Sequence, residues 1–260
     1  MGSLTARAPP VTDFWLWPSL LGVLGLVFGS FIAVLAIRWN DGRSALRGRS
    51  ECDACGAELR AADLVPLLGF ALRRGRCRYC RASIARVHPV IEALGCCIGV
   101  VAGVTAPGWE GVAGAVFGWM LLALAAIDAL AFWLPNRLVA ALAIGGLASG
   151  LAGLAPGMTD RLIGGVAGFA ALWLVATLYR RLRGRSGLGG GDPKLFGAIG
   201  LWLGWRALPL TLLAACVIGL GVVLVLRLRG NRLGGGDRLP LGTLLAAAAF
   251  PIWCMLAMVA

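Results

Sequence analysis

Apolar positions in this chain run together rather than alternate, and the polar ones are gathered into a few stretches. Nearly uncharged runs cover Phe14–Ile37, Pro89–Trp109, Gly111–Leu134, Leu138–Thr159, Leu162–Tyr179, Ala207–Leu226 and Leu239–Ala260. Most reach the roughly 20 residues a helix needs to cross a bilayer. An eighth run, Leu195–Trp205, is shorter and bounded by Lys194 and Arg206, so by length it is a thin span or a re-entrant segment. The pattern predicts an all-α polytopic membrane protein of about eight transmembrane helices. The one long polar stretch, Arg38–Val87, makes a small cytoplasmic loop domain. The expected organisation is residues 1–37 as an N-terminal segment and first span, 38–87 as the loop domain, and 88–260 as the main transmembrane domain. Residues 1–13 lack the basic n-region and small-residue cleavage site of a removed signal sequence, so the first span is expected to be retained.

Composition agrees, with 59% hydrophobic and only 14% charged residues and a mean hydropathy of +0.85, outside the range of soluble domains. Basic residues near spans stay on the cytoplasmic side. With the N-terminus outside, all but Arg7, Arg161 and Arg206 of the 24 basic residues fall in cytoplasmic segments. That partition requires Leu195–Trp205 to cross. The net charge of +12 is then explained by juxtamembrane loops facing anionic lipid rather than by nucleic acid, which is not expected as a partner.

The polar loop contains Cys52-Asp-Ala-Cys55 and Cys77-Arg-Tyr-Cys80, with twenty-one residues between the pairs. This is close to a zinc ribbon, in which two turns each give two thiolates to one tetrahedral ion. A loop this size and this polar needs such an ion to hold it together. Disulfides are disfavoured in a cytoplasmic loop; iron–sulfur ligation is the next reading. Four cysteine ligands leave no open position, so the zinc is structural. Cys96, Cys97, Cys216 and Cys254 lie in apolar runs and read as small packing residues.

Two carboxylates stand out because an ionisable group near lipid is costly and is retained for a reason. Asp128 lies inside the third run, six residues before Leu134-Pro135, hence about 10 Å from its end if the helix continues that far. Asp192, in Gly189-Gly190-Gly191-Asp192, opens the sixth segment from the same side. The two can meet below the cytoplasmic surface, where two carboxylates share a proton as in aspartic proteases: one activates water, the other polarises the scissile carbonyl. Gly189 and Gly191 would let the backbone turn tightly and a substrate approach. The competing readings are an ordinary Asp-Pro helix start for Asp192 and a salt bridge of Asp128 with an arginine or with Lys194. A second Gly-Gly-Gly-Asp, Gly234–Asp237, sits among arginines and reads as a solvated turn. His88 is the only histidine, which leaves little room for histidine chemistry.

These residues resemble a known family, the bacterial type IV prepilin peptidases, also called leader peptidase/N-methyltransferases. The resemblance runs through Gly29-Ser30-Phe31, the four cysteines with Asp63-Leu-Val-Pro66, His88-Pro-Val-Ile-Glu92, Asp128 with Leu134-Pro135, Gly189-x-Gly-Asp192-Pro-Lys-Leu195 and Leu239-Pro-Leu-Gly242. It implies that Asp128 and Asp192 are the catalytic pair of an aspartyl endopeptidase that cuts the leader of prepilins or pseudopilins after a glycine, at the cytoplasmic face of the bacterial inner membrane. It also implies N-methylation of the new N-terminus with S-adenosylmethionine, associated with the cysteine loop, and supporting roles for Gly189, Gly191, Lys194 and Glu92. Glu92 is the charged candidate for the methyl-transfer function, by resemblance alone. Ala33, Asp53, Gly69-Phe70 and Thr243 depart from the family's frequent residues, Thr243 replacing the proline of a terminal Gly-Pro. A presenilin-type protease that cuts within the membrane, or a small transporter using the aspartates as ion ligands, are the alternatives.

Overall fold

The protein is described by a computed structural model covering residues 11–40, 50–52, 54–60, 63–184, 187–230 and 239–259. Gly234–Asp237, Asp53, Arg7, Arg232 and Arg238 lie outside these described residues. Nine α-helices are described: α1 (Val11–Asn40), α2 (Leu68–Leu72), α3 (Val87–Thr105), α4 (Trp109–Ala131), α5 (Asn136–Leu151), α6 (Met158–Arg183), α7 (Asp192–Leu203), α8 (Leu208–Leu228) and α9 (Leu241–Ala257). Among the described residues the only β structure is two isolated bridges, Glu51 to Glu58 and Arg76 to Ser83.

All eight apolar runs are therefore helical, but they are not equal. Five helices, α1, α3, α4, α6 and α8, are long and apolar enough to cross a membrane. The other three are apolar and shorter, with 16 residues in α5, 12 in α7 and 17 in α9. In α7 nearly every residue is buried, whereas α6 and α8 show leucine and valine side chains such as Leu174, Val175, Leu213 and Val217 on the outside. A buried α7 among helices with outwardly apolar faces suits a chain dissolved in hydrocarbon, where each helix satisfies its own backbone.

Hydrocarbon gives helices no hydrophobic reason to associate, so close packing of small residues has to do it. A Cβ on Gly25 would lie 2.1 Å from Gly95 O, and one on Gly99 2.0 Å from Leu21 O, so α1 and α3 touch backbone to backbone. Gly164 and Gly200 do the same for α6 and α7. These pairings run antiparallel, as does that of α4 with α9, where Trp253 covers Gly114 and Phe250 covers Gly118. The neighbouring helices α1 and α3, and α6 and α7, thus run in opposite directions. The ends of α1 and α4 meet where the Trp39 and Trp133 rings lie 6.2 Å apart, and the starts of α5 and α7 meet where Lys194 Nζ donates to Asn136 Oδ1 at 2.8 Å. The cysteine loop, which joins α1 to α3, is at this same end of the bundle.

The opposite end is organised by Arg161, which the charge pattern assigns to an outer loop but which is 1% exposed. Its guanidinium donates to Pro156 O, Gly146 O, Leu201 O, Leu154 O and Ala155 O at 2.7–3.1 Å. Carbonyls toward the C-terminal ends of α5 and α7, and of the turn between α5 and α6, thereby share one cation. Trp202, stacked on Phe117 and donating to Leu142 O, fills the space beside it.

Candidate active site

Asp128 and Asp192 are 5% and 7% exposed. Helix α4 stops at Ala131, because Phe132 takes a left-handed conformation at φ 51 and returns its N–H to Asp128 O. Asp128 is therefore in the last turn, about 5 Å from the helix end rather than the 10 Å expected from the proline. Its Oδ2 accepts the Thr243 N–H at 2.8 Å and lies 3.2 Å from Thr243 Oγ1, which is also 3.0 Å from Ala125 O. Thr243 is in the first turn of α9, where backbone N–H groups have no partner inside the helix. A carboxylate from α4 thus seats on the N-terminus of α9, an electropositive position.

Asp192 begins α7, with Pro193 behind it. Its side chain does not cap that helix: Oδ2 turns back and accepts the Gly189 N–H at 2.9 Å. The ordinary Asp-Pro helix start is thereby set aside. The glycines serve space rather than an unusual backbone, since Gly191 has a right-handed φ of −84. A Cβ on Gly191 would meet Leu134 Cβ at 2.8 Å, and one on Gly189 would meet Asp192 Oδ2 at 3.1 Å, while Gly190 faces open space.

Leu134 connects the two carboxylates. Its side chain packs against Gly191, next to Asp192, and lies 3.0 Å from where a Cβ on Gly242 would be, a point itself 2.9 Å from Asp128 Oδ2. Asp128 and Asp192 are near enough for their charges to interact. Among the described residues neither forms an ion pair, and Lys194 is turned to Asn136 instead. Two buried acids from different helices, without a counter-ion among the described residues, are able to share a proton and act as an acid and a base on one substrate bond. Thr243 and Gly242 complete this arrangement. The sequence pointed to Thr243 only as a departure from a pattern.

Glu92 works elsewhere. It is 7% exposed, and its Oε2 accepts the N–H of Leu67 at 2.8 Å, a residue held at φ 58 in the cysteine loop. The four loop thiols converge: Cys52, Cys55, Cys77 and Cys80 offer sulfurs all within 4.8 Å of one another, with Cys52 and Cys80 3.9 Å apart. Zinc bound tetrahedrally at about 2.3 Å spaces its sulfurs about 3.8 Å apart, so the cluster fits the ion. The two turns are copies of each other offset by 25 residues. Cys52 N–H bonds Ala57 O as Cys77 N–H bonds Ala82 O, and the bridges 51–58 and 76–83 correspond. Gly56 and Arg81 both have positive φ, 67 and 59. The N–H groups of Cys80 and then Tyr79 pull the Cys77 thiol down to about 6. Against the Ala57 N–H, the largest single influence, the sulfurs of Cys80 and Cys52 help push Cys55 up to about 11. Four thiols this close do not all ionise without a cation between them. Of the remaining cysteines only Cys254 is buried; Cys97 and Cys216 are exposed on their helices rather than packed inside.

Comparison with known proteins matches residues 23–106 to the bacterial peptidase A24 N-terminal domain and residues 115–224, which include both aspartates, to the type IV leader peptidase family. A prepilin leader peptidase/N-methyltransferase of Aeromonas hydrophila is 35% identical, over 91% of this chain and 90% of its own. The protein of that name from Burkholderia pseudomallei strain K96243 is 40% identical over 86% and 81%, and that from Pseudomonas aeruginosa 35% identical over 88% and 87%. No solved structure matches the chain.

Proposed function

The chain belongs to the type IV leader peptidase family, and from that premise we propose that it removes the leader of type IV prepilins or pseudopilins at the cytoplasmic face of the bacterial inner membrane and methylates the new N-terminus. The observation that carries the peptidase reading is the pair of buried acids, Asp128 from α4 and Asp192 from α7, gathered around Leu134 with no basic partner among the described residues. One carboxylate, ionised, takes a proton from the attacking water; the other, protonated, donates to the carbonyl oxygen of the scissile bond, and the roles reverse as the amine leaves. Thr243 holds the Asp128 carboxylate and the Gly189 N–H holds that of Asp192. The exposed Gly189 and Gly190 leave room for an extended segment following a glycine.

In this reading the eight apolar helices are eight crossings, the N-terminus lies outside, and residues 38–87 form a cytoplasmic domain separate in role from 88–260. Basic residues Arg180, Arg181 and Arg183 at the end of α6 and Arg227 at the end of α8 support that orientation. A prepilin's apolar helix enters from the bilayer and leaves its basic leader in the cytoplasm, so partition into the membrane positions the junction at the depth of the two acids. Zinc held by Cys52, Cys55, Cys77 and Cys80 stabilises the loop, and S-adenosylmethionine supplies the methyl group. The test is to incubate purified protein with a prepilin and S-adenosylmethionine and measure the product's N-terminal mass. The expected product begins after the leader glycine and carries one added methyl; a cut within the hydrophobic helix, or none, contradicts the assignment.

A further inference from the structure

A cavity of 370 Å³ lies between the cysteine loop and the adjoining ends of α1 and α3. It is distinct from the aspartate pair: none of Asp128, Leu134, Gly189, Asp192 or Thr243 lines it. Small-molecule sites have volumes of roughly 300–1,000 Å³, mostly apolar walls and a few placed polar groups. Here α1 gives Val34 and Ile37, α2 gives Phe70, and the second cysteine turn gives Ile84. The polar groups have both signs. Glu92 and Asp63 bring carboxylates, and Arg38 and Arg73 bring guanidiniums.

Several features show that the cavity is built rather than left over. Glu92 and Arg38 are 7% and 8% exposed, an unusual state for charged residues. The Asp63 side chain is 4% exposed and pairs with Arg73, whose Nε is buried with no hydrogen-bond partner among the described residues. Leu67 is held at φ 58, a conformation costly for a branched side chain, by the Glu92 carboxylate. Phe70 is fixed from behind, its ring tip 2.9 Å from where a Cβ on Gly75 would stand.

We propose that this cavity is the seat of S-adenosylmethionine, an inference that rests on the methyl-transfer reading above. The ligand's chemistry matches the lining. It carries a cationic sulfonium and ammonium, for which Glu92 and Asp63 are suited; a carboxylate, for which an arginine fork is suited; and a flat purine, for which Phe70 and the aliphatic wall are suited. The two cysteine turns form the roof, since Cys52 and Cys77 line the cavity, so a metal held by them would shape the site without touching the donor. In the transfer, the lone pair of the newly freed amine forms the N–CH₃ bond as the S–CH₃ bond breaks. That electron pair returns to sulfur, leaving a neutral thioether, and the amine's proton departs to water. Both sites open at one end of the bundle, so the cut N-terminus moves between them without crossing the membrane.

The test uses full-length protein in detergent. S-adenosylmethionine binding is measured by calorimetry on the wild type, on Ile84→Trp to fill the cavity, and on Glu92→Gln, which keeps an acceptor for Leu67 N–H. Zinc content and thermal unfolding monitor folding. Binding should weaken by roughly tenfold or more in both variants and be unchanged in Asp128→Asn. Photolabelling of the wild type with an azido analogue of S-adenosylmethionine should mark peptides from the loop or the end of α1. Wild-type-like binding in both variants, or label confined elsewhere, overturns the cavity assignment while leaving methyl transfer standing. A wild type that cleaves but neither binds the donor nor methylates overturns the methyl-transfer reading, and the cavity assignment with it.

Discussion

Gly242→Ala is the substitution that bears most sharply on the geometry around Asp128. The added Cβ would lie 2.9 Å from Asp128 Oδ2, 3.1 Å from its Cγ and 3.0 Å from Leu134 Cδ1. Ordinary contact begins near 3.4 Å, so the carboxylate has to retreat by about 0.5 Å, and Leu134, wedged against Gly191, cannot absorb the change. The Thr243 N–H bond of 2.8 Å then stretches past the useful range of about 2.7–3.2 Å. A hydrogen bond to a charged group is worth about 1.5–3 kcal/mol, and each 1.36 kcal/mol of lost transition-state stabilisation is about tenfold in rate. The expected loss is therefore about 10- to 150-fold in the leader-cleavage rate. The assay is single-turnover cleavage of a prepilin, followed by mass spectrometry, with zinc content and thermal unfolding as folding controls. Gly221→Ala, whose Cβ meets nothing within 4 Å, is the matched control and should cleave normally. Wild-type cleavage by Gly242→Ala would refute the idea that the Asp128 carboxylate must sit where Thr243 holds it.

Other perturbations follow from the same physics. Arg161→Met removes a charged donor from five carbonyls at about 1.5–3 kcal/mol each, offset by the several kcal/mol cost of burying a guanidinium, so it should destabilise by roughly 3 kcal/mol or more in chemical unfolding; a change below about 1 kcal/mol would count against the clamp. Arg81→Gly relieves a left-handed residue where its counterpart Gly56 already stands, and should make the loop retain zinc slightly better against a chelator, by about 0.5–1 kcal/mol, with Gly56→Ala doing the opposite. Zinc uptake at pH 7 must displace a proton at least from Cys55, whose thiol is pushed up to about 11, so zinc affinity should fall as pH falls, and calorimetry in buffers of different ionisation enthalpy should show proton release. A pH-independent affinity would remove the tetrathiolate site.

Much of this was legible in the order of residues because it depends on local pattern. Each apolar run became a helix, and the two Cys-x-x-Cys turns converged as two self-contained copies of one turn. Asp128 and Asp192 came together because α4 ends and α7 begins at the same end of the bundle. What escaped the sequence depends on partners far along the chain. Arg161 reads as a surface charge until carbonyls from three separate segments are seen around it. Thr243 is 115 residues from Asp128, and the sequence marks it only as a departure from a pattern, not as a partner of that carboxylate. The end of α4 was misplaced because Phe132 takes a left-handed turn that bulky residues rarely adopt. For α5 and α9, apolar sequence does not reveal length, since flanking residues continue the hydrophobic run beyond the helix.

One experiment bears directly on the acid pair: compare prepilin cleavage by wild type, Asp128→Asn and Asp192→Asn, each confirmed as folded by zinc content and thermal unfolding. Asparagine keeps the shape and can still accept from Thr243 or Gly189, but it cannot exchange a proton, so each variant should lose cleavage by about a thousandfold or more while still binding zinc. Retention of native-rate cleavage by either folded variant would contradict the account.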